Sequence, residues 1–403
     1  MLTNLNVHKK FSSWPSYSIE EADAVKNVIL SNKVNYWTGD ICREFEKDFA
    51  AWVNVKYAIA LSNGTVALDL SLRALNIEAL GATIKKPEII VTSRTFLASA
   101  SSIVNIGAKP IFADIDKDSQ NMSIENIKLA ITENTCAIIC VHLAGWPCEM
   151  DKIMEIASAN NLYVIEDCAQ AHGAKYKNQM VGSFGDIAAW SFCQDKIMTT
   201  GGEGGMITTN SKKLWNHAWS YKDHGKSYNE VYKAQQPKGY RWLHESFGTN
   251  ARMTEMQAAI GRIQLRKMAA WKAKRSKNAN YILEFCKKFP KVLRVIIPPN
   301  FIEHAWYKCY VFVKPDGLND AWSRDLIIEE INKIGVPCFS GACSEVYLEK
   351  AFDDTDFRPK ERLPVAKEIG DTSLAFLVHP SLTDDEIKLT CSAIGKVIKL
   401  AEK

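Results

Sequence analysis

The chain has 403 residues, 47% hydrophobic and 24% charged, an ordinary balance for a globular protein with room for two domains. A net charge of +4, with no run of five basic residues and no aromatic–basic stripe, excludes a typical nucleic-acid binder. The N-terminal MLTNLNVHKKFSSWPSYS lacks the apolar core of a secretion signal, and no apolar stretch reaches the roughly 18 residues needed to span a membrane, so no membrane partner is expected.

From about residue 50 to 210 short apolar runs alternate with helical patterns. KYAIALS (56–62) leads into NGTVALDLSLRALNI, with apolar residues at helical spacing, and EIIVTS (88–93) leads into TFLASASSIVNIG. KPIFADID precedes a helix from about Ser123, and CAIICVHLAG (136–145) precedes one near Glu149. LYVIEDCAQ (162–170), DIAAWSFC (186–193) and GGMITTN (204–210) follow. The alternation predicts an α/β fold, a mostly parallel sheet flanked by helices, with ligands beyond the carboxyl ends of the strands. Residues 211–250, rich in Trp, Tyr, Lys and Gln, read as a long loop. A long helix is predicted from about Thr254 to Lys287, its basic stretch around Trp271–Lys277 forming a solvated face. HAWYKCYVFVKP, a helix near 322–334 and a last helix near Thr383–Glu402 predict a smaller C-terminal α+β domain. The division expected is 1–265 and 266–403, bridged by the long helix.

Eleven cysteines lie singly with no CxxC pair, which points to free thiols in a reducing cytoplasm and to no metal site. Cys193 lies close to Lys196, but no helix start or histidine accompanies it, so it reads as a small packed hydrophobe rather than a nucleophile.

Four strand ends carry the candidate chemistry. LYVIED places Glu166 and Asp167 at the mouth of the sheet; such a carboxylate can be a helix cap, or the group that keeps a pyridine nitrogen protonated. Ser62-Asn63-Gly64-Thr65 opens a helix and offers either a plain N-cap or an anion site, to which Ser191 could add a hydroxyl. Phe96, after IIVTSRT, can stack on a flat ring or belong to the core. Lys196, in SFCQDKIMTTGGEGGM, stands apart from lysines that otherwise read as surface charge. An amine at the sheet mouth can condense with an aldehyde, and the glycines beside it let backbone pass close to a cofactor. Gly201-Gly202-Glu203-Gly204-Gly205 lacks the G-x-G-x-x-G spacing of a dinucleotide site.

SNGTVAL, EDCAQAHGA, SFCQDK…GGEGGM and GTNARMTEMQAAIGRIQL, in this order, resemble the DegT/DnrJ/EryC1/StrS aminotransferases, as do YWTGDICREFEKDFA, GAKPIFADID and VHLAGWPCEMD. The likeness is good over about residues 10–270 and looser beyond. It implies a fold-type-I enzyme using pyridoxal 5'-phosphate (PLP), with Lys196 as the Schiff-base lysine, Asp167 on the pyridine nitrogen, Gln170 near the ring hydroxyl and Phe96 on the ring. Gly64, Thr65 and Ser191 would hold the phosphate, joined by Asn250 from the other subunit of a homodimer with shared active sites. The reaction implied is transfer of an amino group from L-glutamate to a nucleotide-linked keto sugar in the cytoplasm, for cell-surface polysaccharide or lipopolysaccharide. C-4 of a UDP-linked, GlcNAc-derived 4-keto-6-deoxy sugar is preferred; C-3 amination of a dTDP- or UDP-linked 3-keto sugar and a GDP-linked 4-keto substrate are the alternatives. Relatives that remove a sugar hydroxyl carry histidine at the lysine position, so Lys196 argues against a dehydratase, and the set Lys196, Asp167 and Ser191 argues against a non-enzymatic regulator. Two departures from the family pattern are IKKPE, in place of a Gly-Asp-Glu turn, and GVPCFSGACSEVY (335–347), in place of a histidine-containing stretch.

Overall fold

A computed structural model describes residues 11–77, 86–232, 239 and 242–403. In chain order its strands are β1 Tyr57–Leu61, β2 Glu88–Thr92, β3 Lys109–Ala113, β4 Thr135–Val141, β5 Tyr163–Asp167, β6 Lys175–Tyr176, β7 Gln179–Met180, β8 Ile187–Ser191 and β9 Gly205–Thr209. The shorter C-terminal strands are β10 Leu293–Arg294, β11 Ile302–Glu303, β12 Cys309–Val313, β13 Cys338–Phe339 and β14 Ser373–Phe376.

All seven strands expected between residues 50 and 210 join one sheet, ordered β1-β9-β8-β5-β4-β2-β3. Their composition explains the arrangement. β4, Thr-Cys-Ala-Ile-Ile-Cys-Val, is buried at every position, so it needs cover on both faces, which helices such as Gly64–Ala74 and Met150–Ala159 supply. β2, β3, β4, β5 and β8 pair in parallel, while β9 runs antiparallel to both β8 and β1. The parallel strands thus deliver their carboxyl ends to one edge, where β5 ends at Asp167 and β8 at Ser191.

The helix Glu255–Cys286 starts on a capping box in which Thr254 and Gln257 satisfy each other's backbone N–H groups. Glu255, fully buried, accepts hydrogen bonds from the N–H groups of Ile41 (2.6 Å) and Cys42 (3.1 Å), and so caps the neighbouring helix Ile41–Val53. The long helix reaches a second apolar core built on Ile282, Val311, Ile331, Leu374 and Ile394. Around it lie the sheet β10-β12-β14-β13 and the helices Arg324–Lys333 and Asp384–Ala401, the latter two close to their predicted positions.

Three expectations need correction. Residues 211–250 are not one loop: helices span Lys212–Lys222 and Tyr228–Tyr232. Ser211 accepts the Leu214 N–H at 3.3 Å, and Trp215 and Trp219 pack edge-on against Tyr228 at 4.8 and 5.0 Å. A face made of Trp and Tyr, interleaved with Lys, hides its periodicity from an apolar count. Nor is the basic stretch of the long helix wholly solvated. Arg275 is 1% exposed; it donates to the Trp306 carbonyl at 3.2 Å and lies over the Trp14 ring, while Lys274 and Lys277 pair with Asp384 outside. Lys222, finally, is not surface charge, because its ammonium sits buried 3.4 Å from the Tyr36 ring centre.

The IKKPE departure lies partly outside the described residues. All eleven cysteines are unpaired. No described helix is long and apolar enough to cross a membrane.

Candidate active site

Strand alternation separates the two acids of β5. Glu166 points away from the strand ends and is fully buried, accepting from the N–H groups of Gly182 (2.7 Å), Phe184 (2.8 Å) and Gly185 (2.8 Å) and facing His142 Nε2 at 3.1 Å. Its bonds are structural. His142, Glu166 and Cys168 lie close enough to hold a metal. The His142 Nδ1, however, accepts the Cys148 N–H at 3.0 Å, which leaves Nε2 protonated toward Glu166 rather than free to ligate.

Asp167, also buried, accepts from the Ser99 hydroxyl (2.8 Å) and the Ala169 N–H (3.1 Å). Burial lifts its pKa above the ordinary carboxylate value, against the pull of those two donors and of the Lys196 charge. Each carboxylate oxygen keeps spare acceptor capacity. Nearby, His172 lies between the rings of Trp190 and Phe192, and burial, followed by the charges of Lys196 and Arg275, lowers its pKa to about 3, so it stays neutral.

Lys196 lies in the loop after β8. Its carbonyl accepts the Trp14 indole N–H at 2.7 Å and its own N–H bonds the Cys193 carbonyl at 3.0 Å, so the backbone is fixed from both sides. The ammonium is 3.7 Å from Asp195 and 5.2 Å from the centre of the Tyr307 ring. It opens into a pocket of about 400 Å³ that Phe96 and Gln170 also line. Phe96 is 69% exposed, so its ring belongs to the pocket and not to the core. Gln170 accepts the Ala144 N–H at 2.8 Å through its side-chain oxygen, which leaves its amide N–H groups to donate.

Leu61, Gly205 and Ser191 pair across β1, β9 and β8, which sets the Ser191 hydroxyl against the first turn of the helix Gly64–Ala74. Asn63 caps that turn, accepting the Val66 N–H at 2.9 Å, and Thr65 is exposed. A Cβ on Gly64 would come within 2.5 Å of the Ser191 Cβ, and one on Gly205 would run into the Asn63 carbonyl. The glycines are there for close approach, which accounts for part of the Gly-rich run near Lys196. Asn250 is exposed, in a segment that bridges Asp223 and then runs beside the end of β1, where the Ala251 carbonyl accepts the Ser62 N–H at 3.0 Å.

The model of the DegT/DnrJ/EryC1/StrS aminotransferase family matches residues 15–395. The chain belongs to that family. A solved aminotransferase from Psychrobacter cryohalolentis is 60% identical, with 97% of this chain and 99% of that one covered and a TM-score of 0.94. GDP-perosamine synthase of Escherichia coli O157:H7 is 32% identical over 95% of this chain and 96% of its own. A UDP-N-acetyl-3-dehydro-alpha-D-glucosamine 3-aminotransferase of Acidithiobacillus ferrooxidans is 31% identical over 92% of each.

As a member of the DegT/DnrJ/EryC1/StrS family the protein is a fold-type-I aminotransferase, and its cofactor is PLP. The residues present fit that group. A helix N-terminus beside a buried serine suits a phosphate, the carboxylate of Asp167 has unused lone pairs, and the Lys196 amine faces a cavity. Sequence reasoning missed Ser99, one turn beyond Phe96, because nothing in the chain marks its partner. It also missed the far wall of the pocket, where Tyr307 and Lys308, just before β12, and Tyr310, within it, meet Phe339, Gly341 and Cys343. HAWYKCYVFV was in view, but that three of its side chains turn toward Lys196 depends on the packing of the C-terminal sheet.

Proposed function

We propose that the protein moves an amino group from L-glutamate to C-4 of a UDP-linked 4-keto-6-deoxy sugar of the GlcNAc type, in the cytoplasm, for a cell-surface polysaccharide or lipopolysaccharide. The observation that carries aminotransfer is the Lys196 amine facing a pocket with the buried Asp167 carboxylate in range of its charge. Amination of a nucleotide-linked keto sugar is supported by the relatives, one named for GDP-perosamine and another for a UDP-linked 3-dehydro sugar. The second of these names favours C-3 amination as the alternative reading.

PLP, when bound, supplies an aldehyde for an amine and a ring that takes up the electron pair of a breaking C–H bond. In this reading the Lys196 amine would hold the cofactor and, when free, would serve as the base that takes up and returns a proton at the reacting carbon. Asp167, fixed by Ser99 and Ala169, would hold the ring nitrogen in its protonated form, Gln170 would donate to the ring hydroxyl and Phe96 would pack on the ring. Gly64, Thr65 and Ser191 bind the phosphate, with Asn250 reaching it from the second subunit of a homodimer, so that one isologous surface completes two sites. Residues 1–265 form the cofactor domain and 266–403 the small domain.

Two tests arise here. Gly64→Ala pushes a methyl into Ser191 and displaces its hydroxyl from the helix end. Loss of one charge-assisted bond, about 1.5–3 kcal/mol, weakens cofactor retention on the order of tenfold or more. Absorbance after dialysis reads this, and retention equal to the unaltered protein removes the phosphate from this turn. The substrate is tested by offering glutamate with UDP-, dTDP- and GDP-linked 4-keto and 3-keto sugars. The expected products are 2-oxoglutarate and a 4-amino sugar from the UDP 4-keto compound. Reaction with a 3-keto sugar alone moves the amination to C-3, a 3-deoxy product indicates a dehydratase, and no 2-oxoglutarate with any sugar overturns the proposal.

A further inference from the structure

The pocket beside Lys196 is surrounded by cations with few acids to balance them. Lys308 lines it, its ammonium 5.2 Å from the centre of the Tyr307 ring and 5.8 Å from that of Phe339. Among the described residues it makes no ion pair or hydrogen bond. Burial lowers its pKa to about 8, opposed by the charge of Asp195, so it remains mainly protonated at neutral pH. Behind Tyr310 lies Arg94, fully buried, its guanidinium 5.5 Å from that ring. The Arg94 guanidinium donates from Nη2 to the Ser373 hydroxyl at 3.2 Å, while Nε and Nη1 have no partner. Behind Tyr307, buried Arg275 likewise leaves Nε and Nη2 unpartnered.

The acids present do not cancel this charge. Asp195 accepts the Tyr307 hydroxyl and faces Lys196, Asp167 lies in range of the Lys196 charge, and Glu349 lies at the rim, which leaves Lys308 and the two buried arginines without an acid of their own. Buried cations without counter-ions are costly, and an anion entering the pocket relieves that cost. The cofactor phosphate is not that anion, since Gly64 and Ser191 do not line this pocket.

We propose that this pocket recognises a carboxylate of the reactant and that Lys308 is the residue that binds it. The inference rests on the aminotransfer reading, in which both the amino donor and the sugar enter here. The carboxylate is the donor's, since a 4-keto-6-deoxy sugar of the GlcNAc type carries none, and non-reacting ligands test that assignment. The cofactor-loaded protein is titrated calorimetrically with glutarate, with UDP-glucuronic acid and with UDP-glucose, using Lys308→Met, Lys308→Gln and Lys308→Arg.

Loss of the ammonium is expected to weaken glutarate binding about tenfold or more, with Lys308→Arg restoring most of it and UDP-glucose unchanged. A glutarate effect supports the donor carboxylate; an effect on UDP-glucuronic acid alone overturns it, because Lys308 then reads an acidic sugar. Unchanged binding of both, or equal loss for UDP-glucose, overturns the proposal, the latter because Lys308 then reads the diphosphate. Melting temperatures select whichever neutral variant is folded. Because none of these ligands is turned over, failure of the aminotransfer reading shows separately, as absence of glutamate consumption by the unaltered protein.

Discussion

Lys196→Ala folds, binds PLP without a covalent bond, and loses turnover by about 10⁴-fold or more. The fold survives because the side chain projects into the pocket and fills no core space: it is 17% exposed, and its nearest acid is Asp195 at 3.7 Å. The loop keeps its path, since Trp14 and Cys193 hold the backbone of residue 196 and not its side chain. Lost are the amine that attaches the cofactor and the base that moves the proton, and neither His172, kept neutral between two aromatic rings, nor the half-buried Cys193 replaces them. Lys196→Arg is expected to be equally inactive, because a guanidinium does not give up its proton. The checks are 2-oxoglutarate release and borohydride reduction, which fixes PLP to the unaltered chain and not to the variant. Activity within tenfold of the original would exclude Lys196 from the chemistry.

Asp167→Asn is expected to bind PLP and to react at least about 10²-fold more slowly. Asparagine keeps the shape: its single amide oxygen can accept the Ala169 N–H while its NH2 donates to the Ser99 hydroxyl, so packing at the end of β5 is preserved. The charge is not. A buried carboxylate whose pKa burial has raised gains from a cation placed against it, and a protonated ring nitrogen is such a cation. Without that pairing the ring loses its proton and with it the ability to accept electrons. Rates from single-turnover mixing with glutamate decide the matter; a loss of threefold or less would reduce Asp167 to a cap for the turn at Ala169.

The seven strands were legible because most of their positions are buried and so read as short, largely apolar runs. The ends of those strands carried Asp167, Ser191 and Gly64 with them. Lys196 stood out through its glycines, one of which, Gly205, the geometry explains by its close approach to the Asn63 carbonyl. What stayed hidden depends on packing between distant segments. Arg275 reads as one more basic residue in a helix until Trp14 and Trp306 cover it, and Lys308 reads as surface charge until β12 turns it toward Lys196. The helix Lys212–Lys222 was obscured because its buried face is aromatic and contains a lysine held over Tyr36.

The N-terminal strap that holds Lys196 has a bearing on the order of assembly. Trp14 binds the carbonyl of Lys196, 182 residues away, and packs against Trp271 and His379. Two residues earlier, Ser12 donates from both its N–H and its hydroxyl to Glu386, in the first turn of the last helix, at 2.6 and 3.0 Å across 374 residues. A chain leaving the ribosome can pair all seven strands of the large sheet once Thr209 has emerged, yet the strap cannot close until Glu386 follows. Contacts of such sequence separation form late and slowly. The active-site loop is therefore among the last parts of the molecule to be fixed, and a nascent chain with a finished sheet is still not an enzyme.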